Sequence, residues 1–535
     1  MVELCLKFAG FPPRVHSRLA RTIVSSDCGS GVNQDRSWEI APGRLYLAPE
    51  PMRVTSNRAH RETVILAGLD IGSTTTSLLA ASARIAMNCA SGRLEISGAD
   101  SGADIVCRPD PVFTPFEGEM ISTGALRWQI ETWLRDAGIS PDDIFSSGAL
   151  VTGLAAQSQN ASAITDLVHE LLGESVVATA DDPKLESWLA FMGSAASLSR
   201  ARSGETILNL DIGGGTANSA LGLNGNVLAT GCHFIGARHL RFEPGSYRLT
   251  GLSRYGCSVL DELRIKAKAG DTLELSDVEH AADYFVDLLE ALVSGDRTLF
   301  CSGAGRLIEQ VALSHNVPTQ TIVTFSGGVG ELIYAAAEGK PMPPVTHFGD
   351  HGIDLARAIL KSPRLCRDVT SVVPENKGRA TVQGLTLHSV EISGTTLFLP
   401  HSDRLPLRDL PIVASLPSTA SAAEISAALE LGGKSARGIC LQIDFDAVNP
   451  ALEAVRSFGQ QLSDALSESA AANAGPIVIL TTANAGKALG NYATDWQQRH
   501  HNLIVIDEIT LRAAEFVSIG RARHGLVPVT FYGIK

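Results

Sequence analysis

The stretches LDIGSTTTS (Leu69–Ser77) and LDIGGGTAN (Leu210–Asn218) carry one pattern twice: an apolar lead, Asp, Ile, Gly, then hydroxyl residues. Asp70 and Asp211 stand too far apart for a tandem structural repeat, whose period is about 20–50 residues. Their spacing suits one signature in each half of a two-lobed nucleotide-binding protein. Each run is led by apolar residues, 64–69 and 206–210, that predict a strand with a carboxylate at its tip, where Mg²⁺ or its water can meet it. Glycine next, at Gly72 and at Gly213, Gly214 and Gly215, permits positive φ and removes the side chain, so backbone amides can approach phosphate oxygens. The hydroxyls of Ser73, Thr74, Thr75, Thr76 and Thr216 add donors, and a hydrogen bond to a charged phosphate is worth roughly 1.5–3 kcal/mol. One such run by itself is more often an ordinary tight hairpin turn.

A third glycine-rich element decides between these readings. FSGGVGE (Phe325–Glu331) follows the apolar run 321–324 and precedes the helical pattern LIYAAAE (332–338). Strand, glycine turn and helix start together let a nucleoside lie against backbone. No GxxxxGK[ST] loop is present, and no GxGxxG opens a helix after a first strand, so the other common phosphate binders are excluded. The order of phosphate loop, second phosphate loop and adenosine loop resembles the actin, heat-shock ATPase and sugar-kinase superfamily. That resemblance implies an α/β, two-lobed actin-like ATPase fold with an additional C-terminal α/β region, and ATP with Mg²⁺ as ligands. Residues 72–75 and 213–216 are then expected on phosphate, and Gly327, Gly328 and Gly330 against adenosine. Asp70 and Asp211 are the expected metal-sensing and catalytic carboxylates, with Asp211 preferred as partner of the attacking water.

Composition narrows the partners. A formal charge of −13 and a pI near 5.6 argue against nucleic acid, since no local basic patch offsets them. No apolar stretch approaches the roughly 18 residues of a membrane span. Nine cysteines scattered singly, without a CxxC pair, read as a reduced, cytoplasmic protein without a zinc site. His347 and His351 are four apart, but Gly349 and the preceding prolines make a loop there, so His351 is expected to flank the next helix.

The chain divides into four expected regions. Residues 1–62, arginine- and proline-rich without periodicity, read as a disordered N-terminal extension. Residues 63–205 form the first lobe with the first phosphate loop, including a helix over 126–138 that ends at Gly138. Residues 206–380 form the second lobe with the other two loops, and Ser276-x-x-Glu279 predicts a capping box there. Residues 381–535 alternate continuous apolar runs with helical stretches, which predicts a mostly parallel sheet covered on both faces and a docking or regulatory unit. One of its helices starts near Asn449–Pro450 and sets Leu452, Val455, Phe458 and Leu462 on one face. From Ser146 to Ala163, where the superfamily crosses between lobes, no carboxylate occurs. A sugar kinase keeps a catalytic Asp near that crossing, so hydrolysis is favoured over transfer to a sugar.

From about residue 63 onward the sequence is similar to the ethanolamine ammonia-lyase reactivating factors. The resemblance rests on 149–157, 208–218, 325–331, 347–350 and DEITLRAAEFVSIG at 507–520. It implies a chaperone-like partner of the adenosylcobalamin-dependent ethanolamine ammonia-lyase that uses ATP to release damaged cobalamin. Oligomeric state and association with a bacterial microcompartment stay open. A small-molecule kinase of the same superfold and a filament-forming or scaffold ATPase are the alternatives.

Overall fold

Both signature runs fold into the same unit. β1 (Glu62–Ile71) runs antiparallel to β2 (Thr75–Met87), with Asp70 opposite Ser77, and parallel to β3 (Ile144–Val151), with Asp70 beside Leu150. Helix α1 (Pro183–Ser194) follows, started by Asp182, whose Oδ1 accepts from the Leu185 N–H at 2.9 Å, and by proline at the first helical position. β4 (Thr206–Ile212) repeats the pattern: antiparallel to β5 (Ala217–Leu223), with Asp211 opposite Asn218, and parallel to β6 (Ile322–Ser326), with Asp211 beside Ser326. Each aspartate thus sits at the carboxyl end of a central strand flanked by one antiparallel and one parallel neighbour. Further strands extend the two sheets, among them Leu94–Ser97 beside β2 and Ser175–Thr179 beside β3 in the first, and Asn226–His233 beside β5 in the second. This computed structural model describes residues 62–534 apart from 73, 88–93, 98–102, 118–119, 153–158, 174, 180–181, 395, 433–434, 470–474 and 500. The expected extension, up to residue 61, lies outside them.

The helix expected at 126–138 runs Thr123–Asp136 and buries Leu126, Ile130, Trp133 and Leu134 on the first sheet. The capping box at Ser276 does not form. That helix begins two residues earlier than a Ser276 cap requires, at Leu275 with Glu274 in the N-cap position, because Leu273 and Val278 fix its start in the core of the second lobe. α2 (Gly327–Ala337) follows β6 directly, as the strand–turn–helix reading requires.

α3 (Ala380–His388) returns the chain from the second lobe to the first. A Cβ on Gly384 would run into the backbone of Leu189, and one on Gly193 into the carbonyl of Ala380, so α1 and α3 cross at backbone contact. The expected division at 380/381 therefore falls at the head of a helix that packs on the first lobe.

The C-terminal sheet is half parallel, not mostly parallel. Leu407–Pro417, Ile439–Asp444, Ile477–Thr481 and Leu503–Ile506 run parallel, whereas Val390–Ser393, Val527–Ile534 and Ala514–Ile519 pair antiparallel along its other side. The last two strands are joined by a short loop, which permits only antiparallel pairing. In the parallel half both faces are covered: Leu441 and Ile479 pack under the helices, Cys440 and Val478 on the opposite side. The helix after Pro450 runs Leu452–Glu468 and buries Val455, Phe458 and Leu462, but Leu452 is 65% exposed because it opens the first turn, beyond the edge of the sheet. A further core joins this region to the first lobe: Leu66, Ala83 and Phe145 pack with Leu387, Val390, Ile392 and Leu526.

Candidate nucleotide site

The aspartate-tipped turns meet across one cleft that encloses about 1110 Å³, part of it open at the mouth. The turn after β1 closes with the Gly72 N–H donating to the Thr75 carbonyl at 2.9 Å, and the turn after β4 closes identically, Gly213 N–H to Thr216 O at 3.0 Å. Those two N–H groups are engaged, which removes them from the expected phosphate donors. Carbonyls aim the others. Ala237 N–H takes Gly213 O at 3.0 Å and Arg238 N–H takes Gly214 O at 2.6 Å. A trans peptide points its N–H opposite its C=O, so the Gly214 and Gly215 amides point away from 237–238. In the first loop the Thr114 N–H takes Thr74 O at 3.0 Å, so the Thr75 amide points away from Thr114.

Conformation does not explain the glycines at 213–215, and space within the protein explains only Gly214. None of them has positive φ; of the expected site glycines only Gly327 does, at +78°, where a Cβ would press on Ile212 O at 2.5 Å. A Cβ on Gly213, Gly215 or Gly328 would meet nothing within 4 Å. A Cβ on Gly214 would run into the Thr74 hydroxyl of the opposite loop and lie 3.2 Å from Arg238 Cγ. The two glycine turns are therefore in contact across the lobes.

Of the residues expected here, Asp70, Gly72, Thr74, Thr75, Asp211, Gly213, Gly214, Gly215, Thr216, Gly327 and Gly328 all line the cleft. Ser73 lies outside the described residues. Gly330 does not line the cleft; it sits inside α2, its missing side chain 3.0 Å from the Phe325 carbonyl carbon, so its smallness serves packing. Thr76 is turned inward and its hydroxyl meets that of Thr114 at 3.1 Å.

Three carboxylates face each other. Burial, reinforced by Asp211, raises the Asp70 pKa to about 7, and burial raises Asp211 to about 6 against a hydrogen bond from Ser326. Glu186, from the first turn of α1, is raised by burial and by both aspartates, while a hydrogen bond with Asn218 opposes the shift. A buried chain of hydrogen bonds holds Asp211: Thr324 Oγ1 donates to Asn209 Oδ1 at 3.0 Å, Asn209 Nδ2 to Ser326 Oγ at 2.9 Å, and Ser326 Oγ to Asp211 Oδ1 at 2.5 Å. Asp70 Oδ1 is buried without a partner. Among the described residues no group of three or more His, Cys, Asp or Glu could hold a metal by itself. Mg²⁺ keeps waters and takes one or two carboxylates together with phosphate oxygens, and the orphaned Asp70 oxygen fits such a water. His351 heads the helix Gly352–Lys361, fully buried, its ring stacked on Phe285 at 5.6 Å, as scaffold.

The sequence profile of the family described as ethanolamine utilisation protein EutA matches residues 62–533. The chain belongs to this family. The ethanolamine ammonia-lyase reactivase EutA of Salmonella typhimurium strain LT2 is 30% identical over 475 residues, covering 86% of this chain and 96% of that protein. The protein of the same description from Escherichia coli strain K12 is 29% identical with the same coverage. Among solved structures, the Aquifex aeolicus PPX-GPPA enzyme aligns with TM-score 0.36 and 12% identity over 61% of this chain and 99% of its own.

Sequence reasoning missed Glu186, Asn218, Ser326 and Arg379. Glu186 places a third carboxylate in the cleft, so the lack of one over 146–163 no longer separates hydrolysis from transfer. The signal for Ser326 and Asn209 was present: polar residues interrupting otherwise apolar strand runs. Nothing in the sequence pointed Glu186 or Arg379 at the cleft. Among the described residues no helix is long and apolar enough to cross a membrane.

Proposed function

We propose that the cleft binds Mg²⁺·ATP and hydrolyses it, and that this cycle reactivates adenosylcobalamin-dependent ethanolamine ammonia-lyase by exchanging damaged cobalamin for intact coenzyme. The observation that carries the nucleotide reading is the contact of two glycine turns, each with an Asp at its strand tip, across one cleft. The lyase as client follows from family membership and from the activity named for its relatives.

In this reading Asp70 and Asp211 hold waters of the metal, and the Thr75, Gly214 and Gly215 amides receive phosphate oxygens. Gly327 and Gly328, at the head of α2, leave room for adenosine. Bound Mg²⁺ supplies the positive charge that neutralises the phosphates. Glu186 accepts the proton of the attacking water: its buried position beside two other carboxylates raises its affinity for protons, and Asp211 orients that water. The protein acts in the cytoplasm with the lyase.

The test is reconstitution. Purified protein, ATP and Mg²⁺ are expected to restore activity to lyase inactivated with cyanocobalamin once adenosylcobalamin is added. No recovery while ATP is demonstrably bound rejects the client, and stoichiometric phosphorylation of ethanolamine or a sugar places the protein among kinases instead.

A further inference from the structure

The charged side chains lining the cleft are three acids, Asp70, Glu186 and Asp211, and among the described residues one cation, Arg379. A triphosphate entering this cleft meets more negative than positive protein charge, so that cation has a disproportionate role. Arg379 closes the short turn Lys377–Arg379 and holds the N-cap position of α3. The turn is anchored on the second lobe, where Lys377 pairs with Glu338 at 3.1 Å and lies over the Tyr334 ring at 4.8 Å. α3 is anchored on the first lobe. Arg379 therefore stands where the chain passes from one lobe to the other.

Its guanidinium is poorly satisfied. The side chain is 12% exposed, Nη1 is buried without a hydrogen-bond partner, and Nη2 reaches a single carboxylate, Asp110, at a long 3.4 Å. Asp110 itself is fully exposed, on the segment that follows Asp104–Cys107 of the first sheet. Burial and the neighbouring Arg108 both disfavour the charge, and Asp110 and Glu331 only partly offset them. A buried planar fork with an unused N–H is built for an oxyanion that carries more charge than a solvated surface aspartate.

We propose that Arg379 is the phosphate-binding cation of this cleft and that Asp110 competes with the nucleotide for it. The proposal rests on the cleft being an ATP site. Binding ATP then draws Arg379 off Asp110 and releases an exposed segment of the first lobe, while the same guanidinium ties the first lobe to the second through the phosphates.

Calorimetric titration of the full chain with Mg²⁺·ATP and, separately, adenosine tests it. Arg379→Gln is expected to weaken ATP at least tenfold and leave adenosine within twofold; Arg379→Lys recovers part of the loss; Asp110→Asn tightens ATP several-fold. Unchanged ATP affinity in Arg379→Gln, or equal loss of ATP and adenosine, overturns the phosphate contact. Unchanged ATP affinity in Asp110→Asn overturns the competition, and this surface variant decides the matter if Arg379→Gln does not fold. Wild type that binds no ATP defeats the nucleotide reading instead, a result separable from wild-type binding that Arg379→Gln leaves intact.

Discussion

Adding one methyl group to the second glycine turn, 213–215, separates a ligand cradle from an ordinary hairpin. In Gly213→Ala and Gly215→Ala the new Cβ meets nothing within 4 Å and neither backbone has positive φ, so folding is not strained. Replacing glycine at a compatible position reduces the freedom of the unfolded chain and gains about 0.4–1 kcal/mol. The same methyl stands in the space where phosphate oxygens would approach the amides. Losing one hydrogen bond to a charged group costs roughly 1.5–3 kcal/mol, a factor of about 10 to 150 in affinity. In Gly214→Ala the methyl instead meets the Thr74 hydroxyl of the other lobe and Arg238 Cγ at 3.2 Å, so overpacking costs about 1–3 kcal/mol of stability. Thermal melts with and without Mg²⁺·ATP, paired with calorimetric titration, read both effects on the same samples. The expected pattern is opposite signs: Gly213→Ala and Gly215→Ala as stable as wild type or more so, with weakened ATP, and Gly214→Ala destabilised before any ligand is added. If Gly213→Ala and Gly215→Ala bind ATP as wild type does, the loop is a hairpin and nothing more.

Other outcomes follow from the same geometry. Glu186→Gln is expected to keep ATP binding and to lower hydrolysis by about 10²–10⁴-fold, measured as phosphate release; hydrolysis at the wild-type rate removes Glu186 from the chemistry. Without nucleotide or metal, Asp70 at about 7 and Asp211 at about 6 hold protons that the unfolded chain releases near pH 4, so their contribution to stability is full below that value and lost as pH rises through 6 and 7. Buried His233, His239 and His351, lowered by burial to about 4, 3 and 4, slope the other way below pH 6.5. The carboxylate effect is therefore read as the difference in urea midpoint between wild type and Asp70→Asn, which should be flat below about pH 4, shift toward the variant between about pH 4 and 7, and level off above that. Gly384→Ala, forced onto the Leu189 backbone, should cost about 1–3 kcal/mol in a urea melt; a neutral result means α1 and α3 are looser than backbone contact implies. Phe458→Ala should cost about 3–5 kcal/mol, whereas Leu452→Lys, 65% exposed, should stay within about 0.5 kcal/mol.

The halves of the fold that carry the site were legible because their signals are local. LDIG with its hydroxyls and FSGG with its helix each sit within a dozen residues, and strand, turn and helix start follow from composition alone. What escaped depends on contacts between distant segments. Glu186 reaches the aspartates only because α1 lies across both lobes, and Arg379 enters the cleft only because α3 folds back on the first sheet. Gly330 was misread for the related reason that a glycine in a signature is counted as a ligand contact, while its partner here is the Phe325 backbone. The C-terminal sheet was half misread because continuous apolar runs announce parallel strands, whereas Ala514–Ile519 carries an exposed Glu515 and Val527–Ile534 is interrupted by Pro528, Thr530 and Gly533, which gives a weaker signal.

The shared core of Leu66, Phe145, Leu387 and Ile392 mounts the C-terminal region on the first lobe like an arm. A few degrees of lobe closure around a ligand would be magnified along that arm into a displacement of its far strand, Leu503–Ile506, larger than any at the ligand itself. Were the lobes to close on a nucleotide, an arm of this kind would turn that small motion into a larger displacement at the outer edge of the sheet.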